Sequence, residues 1–371
     1  MINSTRLTAL HETCGQSPWL DTLSRAYLLD GTLERWLQQG IRGVTSNPSI
    51  FQKAIAGSSL YDHELLQSYT HHRDVHIAYW DLVCSDIANA ADMFRGLYES
   101  SAGQDGYVSV EVSPDLAYDT VATVAAARTL WERLNRPNVM IKVPATQAGI
   151  DAVRQIVANG INVNVTLIFS LDTYAQVLES YLGGLEELAT TNPTAVSTVA
   201  SVASFFVSRV DTEIDQRLAD IGSHEALAMR GRSAIAQARL AYAHFQESML
   251  STRWADLQSR HGATPQRPLW ASTSTKNPQY PDTLYVDQLI GPLSVNTLPE
   301  PTARAFDDHG VVRQTIDVGL EEARKEWDSL QRLGVDTQDV ARLLEKQGVD
   351  AFRKSFDDLL SELRDKVAQL T

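Results

Sequence analysis

The chain has 371 residues, 43% of them apolar, and a formal net charge of −14. An acidic balance of that size excludes nucleic acid and anionic membrane as bulk partners, while leaving room for a local basic pocket. Two isolated cysteines, Cys14 and Cys84, show no metal-like spacing and read as thiols of a reducing compartment. The N-terminal "MINSTRLTALHETCGQSPWLD" lacks the apolar core of a signal peptide. No stretch reaches the roughly 18 apolar residues of a membrane span, and the composition predicts a cytoplasmic protein.

In chain order, eight short β-rich runs alternate with amphipathic stretches. The runs are "SPWLDTL" (17–23), "GIRGVTSNPSIF" (40–51), "GYVSVEVSP" (106–114), "NVMIKVPAT" (138–146), "INVNVTLIFS" (161–170), "STVASVASFFVSRVD" (197–211), "RPLWASTSTKN" (267–277) and "DTLYVDQLIGPLSVNT" (282–297). Helical patterns lie between most of them, as at 115–135, 147–159, 171–188 and 211–260. Eight strand–helix units in roughly 300 residues predict an α/β fold of the (β/α)8 TIM-barrel class. The rival, an open doubly wound sheet, lacks its signature, since no run leads into G-x-G-x-x-G or a Walker sequence. After residue 311 the pattern is wholly helical: "TIDVGLEEARKEWDSLQRL", then two shorter segments to Thr371. No Pro/Gly/Ser linker precedes this tail, so residues 1–371 read as one domain, with 311–371 as helices packed on the barrel.

Barrel enzymes gather their chemistry at the C-terminal ends of the strands. Seven of the eight runs carry a polar or ionisable side chain late in an apolar stretch. These are Asp21; Thr45, Ser46 and Asn47; Glu111; Lys142; Asn164 and Thr166; Ser204 and Arg209; and Lys276. Each has an ordinary structural explanation when taken alone. An Asp after an apolar stretch caps a helix, Asn before Pro makes a turn, and Ser/Thr runs cap backbone groups.

Lys142 is harder to explain in that way. Of the seven lysines it alone sits in mid-strand, with no charged residue within three positions. A buried, unpaired ammonium is costly and tends to lose its proton. Either Lys142 forms a buried ion pair with Glu111 or Asp21, or its neutral amine is a nucleophile that forms a Schiff base with a carbonyl substrate. Such chemistry needs carboxylates to move protons and requires no metal or other cofactor.

The segments "GVTSNPSIF", "VEVSP", "NVMIKVPAT", "GINVNVTLIFS" and "ASFFVSRVD" resemble the transaldolase family in order and spacing, from about residue 17 to about 305. "LWASTSTKNP" and "LIGPLSVNTLP" are similar to its longer form. The resemblance implies a class I aldolase barrel, circularly permuted, that transfers a dihydroxyacetone unit between sugar phosphates. It implies Lys142 as the Schiff-base lysine, Asp21 as the acid/base at the donor C4 hydroxyl, and Glu111 with Thr166 as holders of the dehydration water. Asn47, Asn164 and Ser204 would meet donor hydroxyls, with Thr45 beside them, and Arg209 would bind the phosphate. Lys276 stands where short forms have a second phosphate-binding arginine; as a point charge it lacks the bidentate fork. Phe205 and Ser208 stand where short forms have proline and glycine, a departure that bears on loop shape. Sugar phosphates are the expected partners, in a monomer or a homodimer.

Three other readings predict different features. A hydrolytic fructose-6-phosphate aldolase would be shorter and lack the tail. A zinc aldolase would draw on His72 and His76, spaced i, i+4 in "HHRDVH", but no H-E-x-x-H occurs. A catalytically inert sugar-phosphate binder would keep Arg209 and Lys276 while having no use for Lys142, Asp21, Glu111 and Thr166.

Overall fold

In the computed structural model, which describes residues 5–371, eight parallel strands close into a barrel in sequence order. They are β1 (Gln16–Leu20), β2 (Gly43–Val44), β3 (Tyr107–Glu111), β4 (Val139–Pro144), β5 (Val163–Ile168), β6 (Ser201–Phe206), β7 (Gln266–Ala271) and β8 (Ser294–Leu298). β8 closes the ring on β1 over five residue pairs, from Gln16 opposite Ser294 to Leu20 opposite Leu298. The predicted TIM barrel is therefore the architecture found.

Local chemistry explains how the elements begin. β4 is buried along its whole length, as expected of a parallel strand covered on both faces. It hands over to the Gln147–Ala158 helix through Thr146, whose hydroxyl accepts from the Gly149 amide. Gly149 has no alternative, because a Cβ there would lie 1.9 Å from the Pro144 carbonyl oxygen. After β2, Asn47 caps the Pro48–Ile55 helix, with its side chain accepting from the Ile50 amide and Pro48 in the first turn. Ser170 caps Leu171–Thr191 in the same manner.

Three expectations need correction. The eighth run was expected to be strand over 282–297, but Leu284–Gln288 is a short helix and only Ser294–Leu298 is strand. A short Leu/Tyr/Val run satisfies either periodicity, and here the helix wins ahead of the Gly291-Pro292 break. The tail is not three segments. Leu320–Arg332 is followed by a single helix of 34 residues, Thr337–Leu370, that passes through Gly348. Glycine in a helix costs about 1 kcal/mol relative to alanine, but at this position it permits close packing: a Cβ would lie 2.8 Å from Leu167 Cδ2. Finally, His72 and His76 do not share a helix. Asp62–His72 ends at Arg73, which has a positive φ of 54°, and Asp74 caps the next helix.

The Thr337–Leu370 helix crosses the C-terminal mouth of the barrel. It packs on Pro48–Ile55, on the helices Asp62–His72 and Val75–Ser100, on Ser208–Ile221 and on β5. Its buried face, including Phe352, Phe356, Leu359, Leu360 and Leu363, is continuous with the apolar core of the barrel.

Candidate active site

Register places the central group. Glu111 in β3, Lys142 in β4 and Asn164 in β5 are Cα partners across three adjacent strands, so the three side chains share one level of the barrel. Lys142 is 5% exposed and Glu111 7% exposed, and Asn164 is fully buried. The Lys142 ammonium donates to the Ser46 carbonyl oxygen at 3.2 Å and lies 3.4 Å from Glu111 Oε2. Of the two partners foreseen for the lysine, Glu111 is thus the one in contact. That contact is an ion pair without hydrogen-bond geometry, since Oε2 has no aligned donor among the described residues. Burial pushes the Glu111 carboxyl above its ordinary value, and the charges of Lys142 and Arg209 only partly oppose this.

A cavity of about 420 Å³ opens above Lys142. Its wall includes Asp21, Thr45, Asn47, Thr166, Ser204, Arg209 and Lys276, so seven further predicted residues converge on it. Glu111 and Asn164 stand behind that wall. Asn164 donates to Ser109 Oγ at 3.0 Å and accepts from Ser204 Oγ at 2.7 Å, which orients the Ser204 side chain. Thr166 Oγ1 is buried without a partner among the described residues and is available to water or substrate.

Across the cavity a chain of hydroxyls ends on a carboxylate. Thr45 donates to Asp21 Oδ1 at 2.7 Å and lies 2.6 Å from Thr297 Oγ1. Because the one Thr45 proton goes to Asp21, Thr297 is the donor to Thr45. The acceptor bond leaves the second Asp21 oxygen for substrate.

The lining is locally basic despite the overall charge. Lys53, Lys142, Arg209 and Lys276 face the cavity, against Asp21 alone. Arg209 stacks on Phe206, with its guanidinium carbon 5.1 Å from the ring centroid. Lys276 donates to Ser274 Oγ at 2.9 Å. Among the described residues no carboxylate lies within ion-pair reach of Lys53, Arg209 or Lys276. Burial lowers the Arg209 pKa, as expected for a cation without a salt-bridge partner. Three cations at the mouth of a pocket with a hydroxyl-rich floor suit a polyhydroxylated anion.

Several lining residues escaped the sequence reading. Phe352 comes from the C-terminal helix, with its ring centroid 5.9 Å from the Lys142 ammonium, and is 5% exposed. Thr297 extends the hydroxyl chain, Lys53 adds a cation, and Ser272 lies at the end of β7. Two non-glycine residues with positive φ, Leu167 (60°) and Ser272 (56°), flank the site at the ends of β5 and β7. Backbone of this kind persists where packing over-determines it, and Gly348 of the C-terminal helix presses on Leu167.

Comparison with known proteins agrees with this geometry. The family model described as transaldolase/fructose-6-phosphate aldolase matches residues 18–363. A protein of Frankia alni named transaldolase is 47% identical over 357 residues, covering 96% of each chain. Another of that name from Thermobifida fusca is 47% identical over 359 residues, 96% of this chain and 97% of its own. A third, from Saccharopolyspora erythraea, is 46% identical over 371 residues and the full length of both. With its buried strand lysine in a closed eight-stranded barrel and a match spanning nearly its whole length, the chain belongs to the transaldolase/fructose-6-phosphate aldolase family.

Proposed function

We propose that the protein is a transaldolase. It moves a dihydroxyacetone unit from fructose 6-phosphate or sedoheptulose 7-phosphate to erythrose 4-phosphate or glyceraldehyde 3-phosphate, as in the non-oxidative pentose phosphate pathway. The observation that carries this reading is Lys142: a buried amine on the floor of a basic cavity, with Glu111 beside it and Asp21 opposite.

Lys142 Nζ attacks the ketose C2 after giving up a proton, for which Glu111, held above its ordinary pKa by burial, is the adjacent acceptor. Protonation of the carbinolamine oxygen and loss of water give an iminium, with Thr166 holding the departing water. Asp21, oriented by Thr45, takes the C4 hydroxyl proton. The C3–C4 bond breaks, its electrons flow to the iminium nitrogen, and the aldose phosphate leaves. The remaining enamine attacks the carbonyl carbon of the incoming aldose phosphate, whose oxygen receives the proton from Asp21. Hydrolysis of the new iminium frees Lys142 and the product ketose. Arg209 and Lys276 hold the phosphate, and Asn47 and Ser204 meet donor hydroxyls, with Asn164 acting through Ser204.

Transfer requires the enamine to outlive the exchange of aldehydes, and Phe352 over the lysine supports that by excluding water. We also read residues 1–371 as one domain, because the helix at its end supplies a wall of the barrel cavity. The two free, buried cysteines fit a cytoplasmic setting.

Borohydride reduction with fructose 6-phosphate, followed by peptide mapping, tests the mechanism. The expected result is a dihydroxyacetone-sized adduct on Lys142 that erythrose 4-phosphate, added before the reductant, discharges. No adduct despite demonstrated sugar binding would reduce Lys142 to half of a structural ion pair. An adduct that acceptor cannot discharge but water can would indicate a hydrolytic aldolase.

A further inference from the structure

Lys276 is an exposed cation at the mouth and stands on the connection that follows β7. Its own hydrogen bond is local, to Ser274, and the Gln279 amide likewise donates to nearby Asn277. What fixes the rest of the connection is the Ser208–Ile221 helix. That helix carries Arg209 in its first turn, with Asp211 and Asp215 spaced i, i+4 behind it. Tyr280 donates to Asp215 Oδ2 at 2.5 Å, and Tyr285 donates to Asp211 Oδ2 at 2.9 Å. The other carboxylate oxygens accept from the Gly231 amide at 2.9 Å and the Ala234 amide at 2.8 Å. Gly231 is required there, since it has a φ of 75° and a Cβ would lie 2.7 Å from Tyr280 Cζ. At the near end of the connection, Ser208 donates its amide to the Ser272 carbonyl at 2.9 Å, and the two hydroxyls are 2.8 Å apart.

The connection carrying Lys276 is therefore tied at both ends and in the middle to the helix carrying Arg209. A second cavity, about 230 Å³, lies between Lys276 and the two aspartates. We propose that Asp215 and Asp211, through Tyr280 and Tyr285, are positioning residues that set Lys276 at phosphate-binding distance from Arg209, so that one helix supplies one phosphate cation and the moorings of the other. This rests on the sugar-phosphate reading of the cavity. The physical reason is preorganisation. A lysine on a long flexible stem and an unsupported loop must be ordered on binding, and hydrogen bonds to carboxylates provide that order beforehand.

The test is a double-mutant cycle of Tyr280→Phe and Lys276→Met, reading the KM for fructose 6-phosphate, the Ki of inorganic phosphate as a competitor, and borohydride trapping of dihydroxyacetone on Lys142. Tyr280→Phe should raise both the KM and the phosphate Ki roughly tenfold, the scale of one lost hydrogen bond to a carboxylate. Trapping of phosphate-free dihydroxyacetone should be unaltered, and the double variant should bind phosphate no worse than Lys276→Met alone. Additive losses, or a parallel fall in dihydroxyacetone trapping, would show a general structural role and overturn the proposal. A normal Tyr280→Phe beside an impaired Lys276→Met would sink the mooring while leaving the phosphate site intact. A normal Lys276→Met would overturn both the phosphate role of Lys276 and the mooring that serves it.

Discussion

Replacing Lys142 with methionine removes the amine and its charge while keeping most of the side-chain volume, and the structure dictates what happens to Glu111. Burial already holds that carboxyl above its ordinary value of 4.5, and Lys142 is the largest opposing influence. Without it the folded-state pKa of Glu111 rises further, while the unfolded value is unchanged. A proton is then bound in the folded state over a pH range where the unfolded chain has released it, so stability falls as pH rises through that range. The gap between variant and wild type should be small at pH 5. It should grow by at most about 1.4 kcal/mol per pH unit, to a ceiling of about 3–5 kcal/mol for an uncompensated buried charge. With unfolding entropy near 2.1 cal/mol/K per residue, the 371-residue chain would lose about 4 °C of Tm for about 3 kcal/mol. Thermal unfolding of both proteins from pH 5 to pH 8 measures the gap. Adding Glu111→Gln to the Lys142→Met background should abolish its pH dependence. A gap that is constant across this range would refute the coupling between the two groups.

Three further outcomes are expected. Thr45→Val deprives Asp21 of its only side-chain donor among the described residues and breaks the link to Thr297; kcat with fructose 6-phosphate and erythrose 4-phosphate should fall by about 10- to 100-fold, the worth of a hydrogen bond to a charged group, and an unchanged kcat would remove Asp21 from the proton transfers. Phe352→Ala opens the cavity roof; release of free dihydroxyacetone without acceptor should rise relative to transfer, and stability should fall by about 3 kcal/mol as for other buried Phe→Ala changes. An unaltered partition between transfer and release would show that Phe352 does not govern water access. Burial raises the Asp211 carboxyl to about 7, so the folded state holds a proton that the unfolded chain releases above 3.8, and stability contributed below that value is lost as pH rises to about 7. Asp211→Asn should therefore gain stability relative to wild type across that window, seen as Tm curves that diverge between pH 4 and pH 7.

Lys142 was legible because it breaks a local rule: a charged side chain in a strand buried on both faces demands a reason. Strand ends gave Asp21, Thr45, Ser204 and Arg209, because barrel topology brings all eight ends to one face whatever their separation in sequence. Phe352 broke no rule. A phenylalanine on the apolar stripe of an amphipathic helix looks the same whether it fills a core or roofs a cavity. Thr297 was hidden for a similar reason, since threonine suits any strand. That Asn164 acts behind Ser204 instead of facing the cavity is a matter of inward level within the barrel, which a period of two does not resolve. The uninterrupted C-terminal helix was missed because Gly348 reads as a stop until Leu167 is known to lie against it.

The pairing of the last strand with the first has a consequence for how the enzyme comes into being. Asp21 leaves the ribosome long before β8, yet the hydroxyl that feeds its partner Thr45 belongs to Thr297, and Phe352 emerges later still. A nascent chain halted between β4 and β8 holds the lysine and both carboxylates but has two unpaired strand edges where the ring should close. No partial product that stops before β8 can therefore hold a closed barrel. A chain cut before the C-terminal helix would hold a closed ring whose lysine is open to solvent.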